Sequence, residues 1–195
     1  MYIIKMSPNF DVDSTTGVLT PNEAGAITIG YSVSGSNATI TGFSPKSYSG
    51  ALVLPTTLGG NNVSSIGNGA FEGASSLTSV TIPEGVISIG AYAFYGATSL
   101  TSITIPAGVT SIGEGAFAYT SKLESILVDE NNNDYSSLDG VLFNKNKTIL
   151  LKYPTGSSRV SYTVPSSVET IEGRSFAILL ESDNNTLRTI ILNNG

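Results

Sequence analysis

The chain of 195 residues contains no cysteine, no histidine and no tryptophan, and only 12% of it is charged. Each absence excludes something. Without cysteine there is no disulfide, no thiolate nucleophile and no cysteine-based zinc site. Without histidine the commonest general base is missing, so the usual nucleophile–base pairings have no members, and neither an enzyme nor a bound cofactor is expected. Nine Lys and Arg against 15 Asp and Glu leave a net charge of −6, with no basic cluster to displace counterions from phosphates. A nucleic-acid partner is therefore not expected. Long apolar runs are also lacking: "MYIIKMSPNF" at the start is too short for the hydrophobic stretch of a signal peptide and for a membrane span.

What is present is a core's worth of apolar residues, 40% of the chain, with Ser, Thr, Asn and Gly in place of charges on the remaining positions. Their order is periodic. "LTSVTIPEGVISIG", from Leu77 to Gly90, returns 23 residues later as "LTSITIPAGVTSIG", from Leu100 to Gly113. The period holds for Leu77, Leu100 and Leu123, for Val80, Ile103 and Ile126, and for Phe71, Phe94 and Phe117. It also holds for Val63, Val86 and Val109, for Ile66, Ile89 and Ile112, and for Ala70, Ala93 and Ala116.

Within one unit, Val80 and Ile82 alternate with Ser79 and Thr81, the period-2 pattern of a strand with one buried face. Pro83 ends that strand because it cannot donate to a ladder. "VISIG" reads as a second short extended piece and "AYAFYGA" as a single helical or 3₁₀ turn. A unit of 23 residues cannot bury its apolar face alone, whereas stacked units can, so the expected architecture is a solenoid.

Partial copies extend the array. "GALVLP" precedes the regular units, with a five-residue insertion in "TTLGGNN", and "SYTVPSSVETIEGRSF" follows them, with five further residues before Leu187, Ile190 and Leu192. About six inner strands result. Between Val128 and Val164 the spacing exceeds one period by 13 residues, and "GVLF", "NKNK" and "TILLKY" form a hairpin pattern inside one elaborated repeat. The expected organisation is an N-terminal extension over 1–24, partly disordered, and one repeat domain over 25–192. The domain divides into cap strands (25–50), regular repeats (51–128), the elaborated repeat (129–160) and the last repeats (161–192), before a tail over 193–195.

The run "SLTSVTIPEGVISIGAYAFYGA" resembles the leucine-rich repeats of the BspA or treponemal type, found in surface proteins of host-associated bacteria and some protozoan parasites. "NATITGF" with "ALVLP" is similar to that family's opening repeat, and "YSSLDGVLFNKNKTILLKYP" to its recurrent long repeat. The resemblance covers roughly residues 25 to 192. It departs where family members often carry Cys after Phe-x-Gly: Ala74, Ala97 and Thr120 stand there instead, which affects packing only. The resemblance implies an α/β-type leucine-rich-repeat solenoid dominated by β structure, an extracellular or cell-surface location, and adhesion to a host matrix protein or another microbial surface protein. It supplies no catalytic residue.

Candidate binding residues follow from the strand template. The solvent-facing side chains of the inner strands are expected to be Ser79, Thr81, Ser102, Thr104, Ser125, Leu127, Ser161 and Thr163, then Thr189 and Ile191. Ser and Thr also suit exposed strands for purely structural reasons. Tyr92 and Tyr95, three apart beside Phe94, are expected to share an exposed face, and Tyr135 and Phe143 on the inserted hairpin are the expected place for specificity. "DENNND", Asp129 to Asp134, is a poor calcium loop, lacking the Gly at position six and the Glu at position twelve. Asp129, Glu130, Asp134 and Asp139 share one segment and do not face one another across a cleft. The sequons at Asn37, Asn62, Asn146 and Asn184 would matter only in a eukaryotic secretory pathway. The segment "TIILNNG" supplies an inner strand with no polar cap after it, so it is expected to be either a truncation point or a surface for self-association. The alternative to a binding module is a passive repeat spacer.

Overall fold

The computed structural model describes residues 27–177 and 186–193 together with the backbone of 2–6, 11–12 and 19–20. The sequon Asn184 and the five residues inserted before Leu187 lie outside the described residues. Four strands, Gly50–Val53, Leu77–Thr81, Ser102–Ile105 and Ser125–Val128, form one parallel sheet. The register pairs Leu52 with Val80, Val80 with Ile103 and Ile103 with Ile126, so each coil sets like residues side by side. Leu52 and Val80 are neighbours despite a longer separation in sequence, because the "TTLGGNN" insertion is absorbed in a tight local pairing of Thr57–Leu58 with Asn61–Asn62. Leu58 turns into the core there, 1% exposed.

A second sheet stacks three short strands in parallel: Asn61–Ile66, Ser88–Ile89 and Ser111–Ile112. Its N-terminal edge pairs with the antiparallel hairpin Ile27–Ser34 and Asn37–Ser44. Strand Tyr2–Met6, within the segment read as an extension, pairs antiparallel with that hairpin. The hairpin thus covers an edge that would otherwise present unpaired backbone groups.

The third side of each coil departs from the expected helical turn. No helix occurs among the described residues. Within a coil Ala93 N–H donates to Gly90, Tyr95 to Tyr92 and Ala97 to Phe94, at 3.0–3.3 Å, as linked turns. The intervening N–H groups donate to the next coil instead: Tyr92 to Glu114 (3.0 Å), Phe94 to Ala116 (2.8 Å) and Gly96 to Ala118 (3.0 Å). A helix would keep all these bonds within one chain segment. It is broken by positive φ at two positions per turn, held by Gly69, Tyr92 and Gly115 and by Gly73, Gly96 and Tyr119, with φ from 56° to 70°.

Inside the coils the phenylalanines stack. Phe71 and Phe94 lie 5.1 Å apart with planes 5° apart, Phe94 and Phe117 5.7 Å apart at 10°, and Phe43 of the hairpin closes the column at 5.4 Å. Ala74, Ala97 and Thr120 are fully buried beside them. Thr120 offsets burial of its hydroxyl by donating to the Phe117 carbonyl at 2.8 Å.

The stack does not run the length of the molecule. Two core clusters meet at the elaborated repeat, the second built on Val141, Phe143, Leu150, Tyr153, Tyr162 and Val164. There Tyr135–Leu138, Val141–Asn144 and Ile149–Lys152 form an antiparallel meander, which Thr170–Ile171 joins in parallel. The remaining two inner strands, Ser161–Val164 and Thr189–Leu192, form a separate parallel pair. The six inner strands are therefore split into four and two. The meander takes the edge of Ser125–Val128: Ile126 N–H donates to Gly140 O (2.9 Å) and Val128 N–H to the Ser137 hydroxyl (3.1 Å). Gly140 is required at this approach, since a Cβ there would lie 3.0 Å from the Ser125 Cβ and its φ is 78°.

Candidate functional site

The solvent face of the four-stranded sheet carries two rows of side chains. Ala51, Ser79, Ser102 and Ser125 are successive partners in register and make one row. Val53 pairs with Thr81 and Thr104 with Leu127, making the second. Both rows exist because the period-2 pattern sends Leu52, Val80, Ile103 and Ile126 to the opposite, buried face. The second row has hydroxyls in its middle and apolar ends, with Val53 50% and Leu127 51% exposed. Ser161 and Thr163 are exposed too, but they lie beside Thr189 and Ile191 on the separate pair of strands. The meander divides the ten expected positions into two surfaces.

Tyr92 and Tyr95 come together as a half-exposed, edge-to-face pair with centroids 5.8 Å apart. Tyr119, absent from the sequence reading, extends the group: its ring lies 5.0 Å from that of Tyr95. Its signal in the sequence is a Tyr at the periodic place of Gly73 and Gly96. Arg174 reaches this cluster from a coil beyond the meander, placing its guanidinium 5.2 Å from the Tyr92 ring centroid and bonding the Tyr92 hydroxyl and the Glu114 carboxylate. With Glu72 these four residues line a shallow recess.

The hairpin candidates fall differently. Phe143 is completely buried in the second core cluster, so it offers no surface to a partner. The alternation of "GVLF" is that of a strand covered on both faces, with Val141, Leu142 and Phe143 all buried. Tyr135 is half-buried, and its hydroxyl accepts from the Ile112 N–H at 2.8 Å, at the outer edge of the short-strand sheet. Burial raises its pKa, against a lowering by that hydrogen bond.

The "DENNND" segment serves to join coils. Asn132 is fully buried; its Nδ2 donates to the carbonyls of Pro106 (2.8 Å) and Val109 (2.9 Å), and its Oδ1 accepts from the N–H groups of Asp134 and Tyr135. The Lys145 ammonium bonds the Asn132 carbonyl, while Asp129 accepts from Asn131. Among the described residues no three metal-ligating side chains cluster.

Two buried groups stand out electrostatically. Burial lowers the pKa of Lys152 to about 8, and its ammonium donates to the Ala177 carbonyl at 3.3 Å. Burial likewise pushes Tyr162 up to about 12. The hydroxyls of Tyr153 and Tyr162 are buried and meet no hydrogen-bond partner among the described residues.

Parallel strands stacked at a fixed period, with turns in place of helices on the outer side, define a leucine-rich-repeat β-solenoid. The chain belongs to the family of the BspA type leucine rich repeat region, whose model matches six copies over residues 51–163. None of the curated proteins matches it in sequence. Among solved structures it is similar to a leucine rich cell surface protein from Faecalibacterium prausnitzii A2-165, with 28% identity and a TM-score of 0.57 over 72% of this chain and 41% of that one. It thus spans less than half of that relative. The T. pallidum leucine rich repeat protein shares the fold at 22% identity and a TM-score of 0.56, over 84% of this chain and 78% of that one. The pneumococcal vaccine antigen PcpA does so at 20% identity and a TM-score of 0.50, over 97% and 66% respectively. No helix among the described residues is long and apolar enough to cross a membrane.

Proposed function

We propose that this chain is a non-catalytic, surface-exposed or secreted module that binds a protein partner through the solvent face of its four-stranded sheet. The observation that carries this reading is the pair of in-register rows, Ala51 to Ser125 and Val53 to Leu127. They form a regular, uncharged surface whose hydroxyls can bond a partner and whose exposed Val53 and Leu127 add apolar contact at either end. Ser161, Thr163 and the tyrosine cluster make secondary contacts. The F. prausnitzii relative is described as a cell surface protein, which favours the same location here. Immobilised matrix proteins and microbial surface proteins presented to the purified chain test the reading. Thr104→Arg, in the middle of the second row, should abolish any binding found while leaving thermal stability unchanged. Binding that survives both Thr104→Arg and Leu127→Arg would place the contact elsewhere.

The spacer reading draws on one observation, the ladder of hydroxyls bonded to the preceding coil: Thr98 to Ser75 O (3.2 Å), Thr101 to Thr78 O (3.2 Å) and Thr110 to Ile87 O (3.3 Å). Such residues stiffen an array without contacting a ligand. Self-association fits the exposed Ile190, Ile191 and Leu192, from 43% to 59% exposed on a strand whose described pairing is to Ser161–Val164. Light scattering over a concentration series, with Ile191→Lys as the control, separates it from a monomeric module.

A further inference from the structure

In the first two coils, alternate N–H groups of the outer turns donate forward. Gly69 donates to Ala91 (3.0 Å), Phe71 to Ala93 (2.7 Å), Tyr92 to Glu114 (3.0 Å) and Phe94 to Ala116 (2.8 Å). The same register aims the N–H groups of Gly115 and Phe117 away from the second coil, towards the place of the next turn. The inserted meander displaces that turn, and among the described residues no acceptor meets either group. A cavity of about 220 Å³ lies there, lined by Gly115, Phe117, Lys152, Glu172 and Arg174 among others. It falls at the boundary of the two core clusters, where the regular stacking stops.

The cavity is rich in donors. Lys152 is 3% exposed, and among the described residues its bonded acceptor is the neutral Ala177 carbonyl. Of the two acids on the lining, Glu114 is held by Arg174 and Glu172 is exposed. Lys152 and the two turn residues with free N–H groups therefore line one recess, and among the described residues no negative charge is bonded to them. Oriented N–H groups of this kind bind anions, and charge-assisted bonds to a carboxylate are among the stronger ones available.

The geometry points to a carboxylate-binding site in this cleft, with the ligand oxygens shared between the N–H groups of Gly115 and Phe117 and the ammonium of Lys152. A single negative charge balances Lys152, whereas a phosphate dianion would meet repulsion from Glu114 and Glu172. The tyrosine recess adjoins through Arg174, which lines both, and gives the rest of the ligand an aromatic wall. The site is independent of the sheet face proposed above for a protein partner.

Two carboxylate sources are distinguishable: the end or acidic side chain of a peptide, and an acidic sugar. Amide resonances of the ¹⁵N-labelled chain are followed during titration with N-acetyl-leucine against its amide, and with glucuronate against glucose. At least one acid should shift Gly115 and Phe117 saturably while its neutral counterpart does not, and the acid that does so names the source. Lys152→Met should weaken that binding about tenfold, and Glu172→Gln should tighten it about threefold, as expected for direct charge terms. Unmoved Gly115 and Phe117 amides with both acids, or equal shifts from acid and neutral probe, overturn the site. So does unchanged affinity in a folded Lys152→Met chain; if that variant does not fold, Glu172→Gln and the acid–neutral comparison decide.

Discussion

The side-chain amide of Asn132 donates to the carbonyl of Val109, 23 residues earlier, at 2.9 Å. One buried side chain thereby bonds across a full repeat, where the regular coils use backbone groups, hydroxyls and, at the surface, the Asn68 side chain accepting from Ala91 N–H. The Asn132 side chain makes four hydrogen bonds at zero exposure, so truncation strips a partner from the Val109 carbonyl and from the N–H groups of Asp134 and Tyr135, while the Pro106 carbonyl keeps only the Val109 N–H at 3.3 Å. Asn132→Ala should cost about 2–4 kcal/mol, read from chemical denaturation. A loss within experimental error would mean that water takes over the site without penalty.

Phe94 tests the stack. It is fully buried between Phe71 and Phe117, both rings nearly parallel to its own. Phe94→Ala should destabilise by about 3–5 kcal/mol, the usual range for such a truncation in a core that cannot collapse. A much smaller change in midpoint would show that neighbouring coils close the gap.

The column of Phe rings and the in-register Ser79 and Ser102 were legible in the sequence because each depends only on a repeated spacing. The break in the array was legible only as 13 surplus residues. Nothing in their composition says that Gly140 would occupy the edge of Ser125–Val128 and so detach Ser161 and Thr163 from the main surface. Phe143 was misplaced for a related reason: the hairpin expected to carry specificity packs between the two core clusters, and the run Val141, Leu142, Phe143 is apolar on both faces. The cluster Tyr92–Tyr95–Tyr119 was half legible. The three-residue spacing joins the first two, but Tyr119 joins them only through coil stacking, and Arg174 arrives from 82 residues away.

Tyr119 also tests backbone strain. It holds φ at 57° in the place of Gly73 and Gly96, whose φ values are 70° and 69°. An L-residue there carries a steric cost that glycine avoids, of about 1 kcal/mol. Tyr119→Gly should therefore be more stable than Tyr119→Ala by about that amount, since both lose the same ring contact with Tyr95. Equal stabilities would show that the turn relaxes out of the left-handed region once the ring is gone.

Buried Lys152 makes the stability of the fold depend on pH. Its pKa in the folded chain is about 8, against 10.5 when solvated, because burial disfavours the ammonium. Below pH 8 both states are protonated and the folded state bears the full cost of the buried charge. Between pH 8 and 10.5 the folded state releases the proton while the unfolded state keeps it, so stability rises with pH. The relief amounts to at most about 3 kcal/mol, the free-energy equivalent of moving the ammonium's pKa from 10.5 to about 8. Tyr162 sets the upper limit of a clean measurement: its pKa is raised to about 12 on folding, so the unfolded state ionises first above pH 10 and stability falls there. Lys152→Met keeps the apolar stem without the charge. Its unfolding midpoint at pH 7 should exceed that of the parent, and the difference should shrink steadily as pH rises towards 10. A difference that is constant with pH would mean that the Lys152 side chain reaches water in solution, and a lower midpoint at pH 7 would mean that its bond to Ala177 outweighs the cost of burial.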